Sequence, residues 1–148
     1  MLDKTKIIAI GSDHGGYELK EFLMTKMTEA GYNLKDYGCS STESVDYPDI
    51  IHPLAEAINN KEYEKGIIIC GSGQGAQMTA NKHKFVRAAL CWDLEQTELT
   101  RRHNDANVLS LPGRFIDFKL AFEIVELFLN TDFEGGRHSI RVDKISNY

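Results

Sequence analysis

The strongest constraint on this chain's fold is an alternation, repeated along its length, of short β-branched runs with longer amphipathic segments. Strands separated by helix-forming stretches pair in parallel, and the intervening helices cover both faces of the sheet. Residues 7–10 form the first apolar run and end in Gly11-Ser12-Asp13-His14-Gly15-Gly16. Over 17–30, Leu19, Phe22, Leu23 and Met27 recur at helical spacing, and Gly31 supplies a stop. Residues 33–37 read as a second strand, 38–49 as a polar loop, and 50–60 as a helix entered from Pro48. The most apolar strand covers 66–70, and Gly71-Ser72-Gly73-Gln74-Gly75 leads from it into a helix over 76–81. Strands at 86–91 and 108–111, with helices over 93–103 and 115–129, complete the pattern. After Gly135-Gly136 a short helix is expected to carry Arg137 and Arg141. Ligands of such open sheets bind beyond the carboxyl ends of the strands, where successive connections diverge. The loops after strands one, three and four are therefore where chemistry is expected.

A chain of 148 residues with 42% hydrophobic content fills one core without metal or disulfide staples, so a single domain over 1–148 is expected. There is no internal repeat, low-complexity tract or linker. A net charge of -5 argues against nucleic acid and anionic membranes as partners, although a local basic patch can still hold a small anion. The first ten residues lack an apolar run behind a basic start, and no stretch approaches the roughly 20 apolar residues of a membrane helix. Cys39, Cys70 and Cys91 are odd in number and lack metal-site spacing, which fits free thiols in a reducing cytoplasm.

Cys70 ends the most hydrophobic strand and precedes a turn whose backbone amides can face an anion. It reads either as a thiolate acting as base or nucleophile, or as a core cysteine that ends a strand. Cys91 and Cys39 lack that setting and read as core and loop. The run Gly71 to Ala76 also fits G-x-G-x-x-A, but it follows the third strand, and the chain has no room for a second substrate domain. A phosphate-loop match fails because Gly75 is not followed by Lys and Ser or Thr. Asp13 and His14 can bring a carboxylate and an imidazole to the Cys70 loop; equally, Asp13 can cap a helix with His14 solvated. His103, in His103-Asn104-Asp105, either carries protons near neutral pH or stabilises helix-end carbonyls. His52, His83 and His138 show no ligand spacing and read as surface or helix-end groups. Arg137 and Arg141 crowd like charge on one helix face unless an anion such as phosphate compensates; pairing with Asp143 or solvation is the other reading.

Six segments occur in one order: Gly11-Ser12-Asp13-His14-Gly15-Gly16, Asp46-Tyr47-Pro48, Ile69-Cys70-Gly71-Ser72-Gly73-Gln74-Gly75, Ala80-Asn81-Lys82, His103-Asn104-Asp105-Ala106-Asn107-Val108 and Gly135-Gly136-Arg137-His138. Over nearly the whole chain this resembles the type B ribose-5-phosphate isomerases, a family that also includes galactose-6-phosphate isomerase subunits. The resemblance implies a three-layer α/β/α sandwich on a Rossmann-like five-stranded parallel sheet. It also implies a homodimer or dimer of dimers with active sites shared between subunits, the segment 135–148 reaching the partner. The implied activity interconverts ribose 5-phosphate and ribulose 5-phosphate with no metal and no cofactor.

In that pattern Cys70 is the base that moves the C1/C2 proton, and His103 assists ring opening. Ser72 and the amides of Gly71, Gly73, Gln74 and Gly75 hold the enediolate. Asp13 and Tyr47 address the sugar, while His14, Arg114, Arg137 and Arg141 surround the phosphate, with Asn104 close by. Some relatives lack the cysteine and use a glutamate just after the glycine loop; Ala76 stands there in this chain, which leaves Cys70 as the loop's candidate base. Ser72 replaces a common threonine and keeps the hydroxyl. Galactose-6-phosphate isomerase pairs unlike subunits, one lacking this cysteine and the other the Gly-Gly-Arg-His tail; a chain with both fits a self-sufficient homo-oligomer. Isomerisation of a six-carbon sugar phosphate such as allose or galactose 6-phosphate is the nearest alternative, and a nucleotide-binding module a more distant one.

Overall fold

Five strands, β1 (Ile7–Ser12), β2 (Asn33–Asp36), β3 (Gly66–Cys70), β4 (Ala88–Leu90) and β5 (Val108–Pro112), pair in parallel in the order β2-β1-β3-β5-β4 in the computed structural model, which describes residues 2–148. Of the expected domain over 1–148, only Met1 lies outside the described residues. Helices α1 (Tyr17–Glu29), α2 (Tyr47–Asn59), α3 (Gln74–Ala80), α4 (Leu94–Asn104), α5 (Phe118–Asn130) and α6 (Arg137–Ser146) connect or follow the strands.

Period-two alternation divides the core. Ile8, Ile10, Ile67, Ile69, Leu109 and Leu111 face one layer with Leu19, Leu23 and Met27 of α1 and Ile124, Val125 and Phe128 of α5. Ala9, Ile68, Cys70 and Val108 face the other, with Ile51, Leu54 and Ile58 of α2 and Ala76 and Ala80 of α3. Helix α4 packs beside α5, and α6 packs on α4. Together these give the expected α/β/α sandwich. Among the described residues no helix is long and apolar enough to cross a membrane, and Cys39, Cys70 and Cys91 are free and buried.

Where the ends are set locally, the structure agrees with the sequence pattern. Helix α1 stops in a double hydrogen bond, Tyr32 N to Met27 O and Gly31 N to Thr28 O (both 3.0 Å), with Gly31 at a φ of +92° that favours glycine. Elsewhere the boundaries shift. Helix α5 begins at Phe118, not at residue 115, because the Asp117 carboxylate accepts from Leu120 N at 3.0 Å; Phe115 is left 76% exposed. Helix α2 begins three residues early, at Tyr47, with Pro48 in its first turn. Helix α3 begins two residues early, at Gln74. Strand β4 shrinks to three residues because the Asn81 side chain occupies its free edge, accepting from Ala88 N at 2.8 Å and donating to Ala88 O at 3.0 Å. The strand order also corrects one expectation. β5, not β4, lies next to β3, so the loop after β5 is the one that reaches the Cys70 turn.

Candidate active site

The register brings three strand ends level, with Ser12 opposite Ile69 and Cys70 opposite Pro112. The residues that follow leave the sheet side by side and continue to pair: Asp13 N donates to Ile69 O (3.2 Å), Gly113 N to Cys70 O (2.9 Å) and Arg114 N to Gly71 O (3.0 Å). The connections from β1 and β3 diverge to opposite faces here, the usual location of ligand sites in open sheets. Glycines make the approach possible. A Cβ on Gly16 would stand 2.6 Å from Ile69 Cγ2, and one on Gly15 3.1 Å from Gly71 N.

Cys70 occupies the last position of β3 on the α2/α3 face and is 4% exposed. The loop after it is tightly held. Gly73 has a φ of +76°, and its carbonyl accepts from Ser110 Oγ at 2.7 Å. Ser72 Oγ accepts from Gln74 N at 3.3 Å, which leaves the hydroxyl proton free to donate outward. The Tyr47 ring lies on Gly75, where a Cβ would come within 2.5 Å of Cζ and 2.8 Å of the hydroxyl oxygen. The Arg114 guanidinium covers Gly71, its Nη1 3.5 Å from where a Cβ would sit.

On the β1 side, Asp13 is buried and its carboxylate caps the short turn His14–Gly16, accepting from Gly16 N at 3.1 Å. His14 is half-buried, not solvated, and its Nδ1 accepts from Val45 N at 3.1 Å. That bond leaves Nε2 as the protonated, donating nitrogen. A cleft of about 530 Å³ opens on the α1/α5 side of this edge, lined by His14, Gly15, Glu18, Thr42, Gly113 and Arg114 among others, with Cys70 and Tyr47 outside its wall. The sequence reading missed Gly113, which must lie against Gly15 O and Gly16. The Pro112-Gly113 dipeptide after a strand was its available signal.

Asp13, His14, Tyr47, Cys70, Ser72, the glycine loop and Arg114 thus gather at the carboxyl edge. His103, Asn104, Arg137 and Arg141 do not join them within this chain. Helix α4 runs back from the carboxyl end of β4, and Asp105 just past its last residue meets Arg87 at the amino end of β4 (Arg87 Nε to Asp105 O, 2.9 Å). His103 and Asn104 therefore lie at the opposite edge, roughly 15 Å away for five residues at about 3.3 Å each. There the His103 and His138 rings stack with centroids 4.4 Å apart. The Glu134 carboxylate lies 3.5 Å from His103 Nε2 and 3.8 Å from His138 Nε2, and Arg102 Nε holds it at 2.9 Å. Desolvation, then His103 and Arg137, lower the His138 pKa against the pull of Glu134. His52 Nδ1 and His83 Nε2 also meet, at 2.8 Å. Arg137 and Arg141 are exposed, Arg141 donating to the Arg137 carbonyl at 3.4 Å.

The model of the ribose/galactose isomerase family matches residues 8–145. Ribose-5-phosphate isomerase B of Escherichia coli is 40% identical over 141 residues, covering 95% of each chain. The crystal structure of a ribose 5-phosphate isomerase from Thermotoga maritima superposes with a TM-score of 0.94 at 45% identity, covering 97% of this chain and 99% of that one. Ribose-5-phosphate isomerase B from Mycoplasma genitalium, solved with ribulose 5-phosphate bound, gives a TM-score of 0.91 at 40% identity over 96% of this chain and 95% of that one.

Proposed function

Because the chain belongs to the ribose/galactose isomerase family, we propose that this sugar-phosphate isomerase interconverts ribose 5-phosphate and ribulose 5-phosphate, with Cys70 as the base. The observation that carries the reading is the level ending of β1, β3 and β5, which gathers a thiol, an amide-rich loop, a tyrosine and an arginine at one carboxyl edge, beside the cleft that His14 and Arg114 line. The Mycoplasma genitalium relative with its bound ketose favours the pentose phosphate as substrate.

The chemistry removes a weakly acidic proton from carbon, so it needs a positioned base and preorganised donors for the oxyanion. In the open-chain aldose, the Cys70 thiolate takes the C2 proton, and the C–H electron pair forms the C1–C2 double bond as charge moves onto O1. The Cys70 thiol then returns the proton to C1, while a proton passes from O2 to O1, and the ketose results. Donors from the Gly71 to Gly75 amides and the Ser72 hydroxyl face the enediolate. Arg114 and the Nε2 proton of His14 grip the phosphate, which fixes the reacting carbon through binding remote from it. Tyr47 and Asp13 address the sugar hydroxyls.

Ring opening needs a proton carrier that this chain keeps at the far edge of its sheet. A second copy supplies it in the reading proposed here, through His103, Asn104, Arg137 and Arg141 brought to each Cys70 loop from the neighbouring protomer. Exposed Met78, Trp92, Leu94, Leu99, Ile140 and Ile145 on and around α3, α4 and α6 support an interface on that side. Replacement of Cys70 by Ala tests the base: turnover of ribose 5-phosphate is expected to fall by roughly 10²- to 10⁴-fold with a smaller change in KM. Near-normal turnover in that variant would overturn the assignment.

A further inference from the structure

We propose that His103, Glu134 and His138 form a binding site for a borderline-soft divalent cation of the Zn²⁺ kind, whose occupation reversibly withdraws His103 from the isomerase site. The withdrawal rests on the ring-opening role proposed above for His103; the site does not. Its three groups come from the last turn of α4, the connection that follows α5, and the first turn of α6. The backbone fixes them independently of any ion, through Glu134 N to Arg102 O (3.0 Å) and His138 N to Gly135 O (3.1 Å).

One ligand atom from each residue lies within 4.8 Å of the other two. Glu134 approaches His103 Nε2 with Oε2 at 3.5 Å and His138 Nε2 with its other oxygen, Oε1, at 3.8 Å, both too long for good hydrogen bonds. These separations approach the roughly 3.3 Å that neighbouring ligands keep when each stands about 2.0–2.1 Å from a tetrahedral Zn²⁺. Binding requires the carboxylate and the two stacked rings to rotate toward one another from starting separations within 4.8 Å. Two imidazoles and one carboxylate suit zinc and its transition-metal neighbours, whereas Mg²⁺ and Ca²⁺ prefer oxygen donors throughout. Three protein ligands leave a fourth position for water. Side-chain exposures of 37% for His103, 40% for Glu134 and 11% for His138 leave the ion a way in.

Arg102, 2.9 Å from Glu134 Oε2, competes with the cation, and Arg137 adds positive charge at the start of α6. Both weaken the site, so its occupancy follows the free metal concentration. That is the property of a reversible brake, and it differs from a permanently filled structural centre.

Calorimetric titration of Zn²⁺ tests the site in the full chain carrying Cys70→Ala, where the loop thiol cannot take the metal. One ion per chain is expected. Adding His138→Ala should weaken binding by more than the roughly 10- to 100-fold lost with an outer-shell partner, and adding Glu134→Gln should also weaken it. Unchanged binding in both variants overturns the site. In the native-cysteine protein, zinc should depress turnover, and the His138→Ala variant should resist it relative to its own metal-free rate. Equal inhibition of both places the effect at another group and overturns the withdrawal. Binding at the site without inhibition of the native protein leaves the site standing and overturns the withdrawal, while normal turnover of metal-free His103→Ala would separately remove the ring-opening role.

Discussion

Cys70 and Cys91 both stand at strand ends, but they belong to opposite layers of the core. Cys91 packs with Leu109, Leu111, Ile124 and the rest of the α1/α5 layer, and burial pushes its thiol up to about 11, a contact with Thr97 offsetting part of this. It stays protonated near neutral pH and offers no competing base. The same burial ties stability to pH. The folded pKa lies above the unfolded value of 9.0, so the thiol's contribution is fully present below about pH 9 and is lost as pH rises through about 11. Over that window the unfolded chain ionises first and gains stability. A shift of about two units, at about 1.4 kcal/mol each, bounds the loss at roughly 2–3 kcal/mol. Cys91→Ala has no thiol to ionise. Urea unfolding at stepped pH should therefore show the wild-type advantage over this variant shrinking between about pH 9 and 11, and a constant advantage would contradict the neutral buried thiol.

Helix α1 and strand β2 are joined by a lysine that hydropathy alone would place in solvent. Lys20 is fully buried, and its ammonium meets Asp36 at 2.9 and 3.0 Å and Glu21 at 3.1 Å. Asp36 Oδ1 also accepts from Gly38 N at 2.8 Å, and Gly38 and Cys39 pair with Ser12 at the end of β1. The pair thereby starts the segment that carries Val45 to His14 and Tyr47 to the glycine loop. Asp36→Asn leaves a buried ammonium with one exposed partner and is expected to cost about 2 kcal/mol, between exposed and fully buried pairs. Lys20→Met keeps the apolar stem and leaves a hydratable carboxylate, so it should cost less; the opposite order of urea midpoints would refute this account. Lys20 also marks the limit of what the sequence discloses. The apolar runs of β1 and β3, and the Gly31 stop of α1, are legible because their causes lie within a few residues. The start of α2, the length of β4 and the sheet order depend on Tyr47 meeting Gly75, on Asn81 meeting Ala88, and on β5 inserting beside β3. The Cys70 loop is legible as a motif, whereas the convergence of His138 on His103 arises only when α6 packs on α4.

At the scale of the whole molecule, the fold separates two groups that the proposed reaction needs together. A parallel sheet sends every returning helix to its amino edge, so a residue at the end of α4 cannot meet a residue at the end of β3 in the same chain. A two-fold dimer resolves this, since an isologous contact that brings one protomer's α4 and α6 to the other's carboxyl edge does so twice. The apolar side chains exposed around β4, and a cavity of about 510 Å³ there between α3, α4 and α6, lie on the surface that such a contact would cover. Subunit exchange tests the arrangement directly. Cys70→Ala and His103→Ala each damage every site in their own homodimers. After unfolding and refolding an equal mixture, half of the dimers are hybrids, and each hybrid holds one doubly damaged site and one intact site. Activity should therefore recover to about a quarter of wild type, the share of intact sites under random pairing. If each chain completed its own site, no intact site could form in any hybrid, and the mixture would show only the average of its two parents.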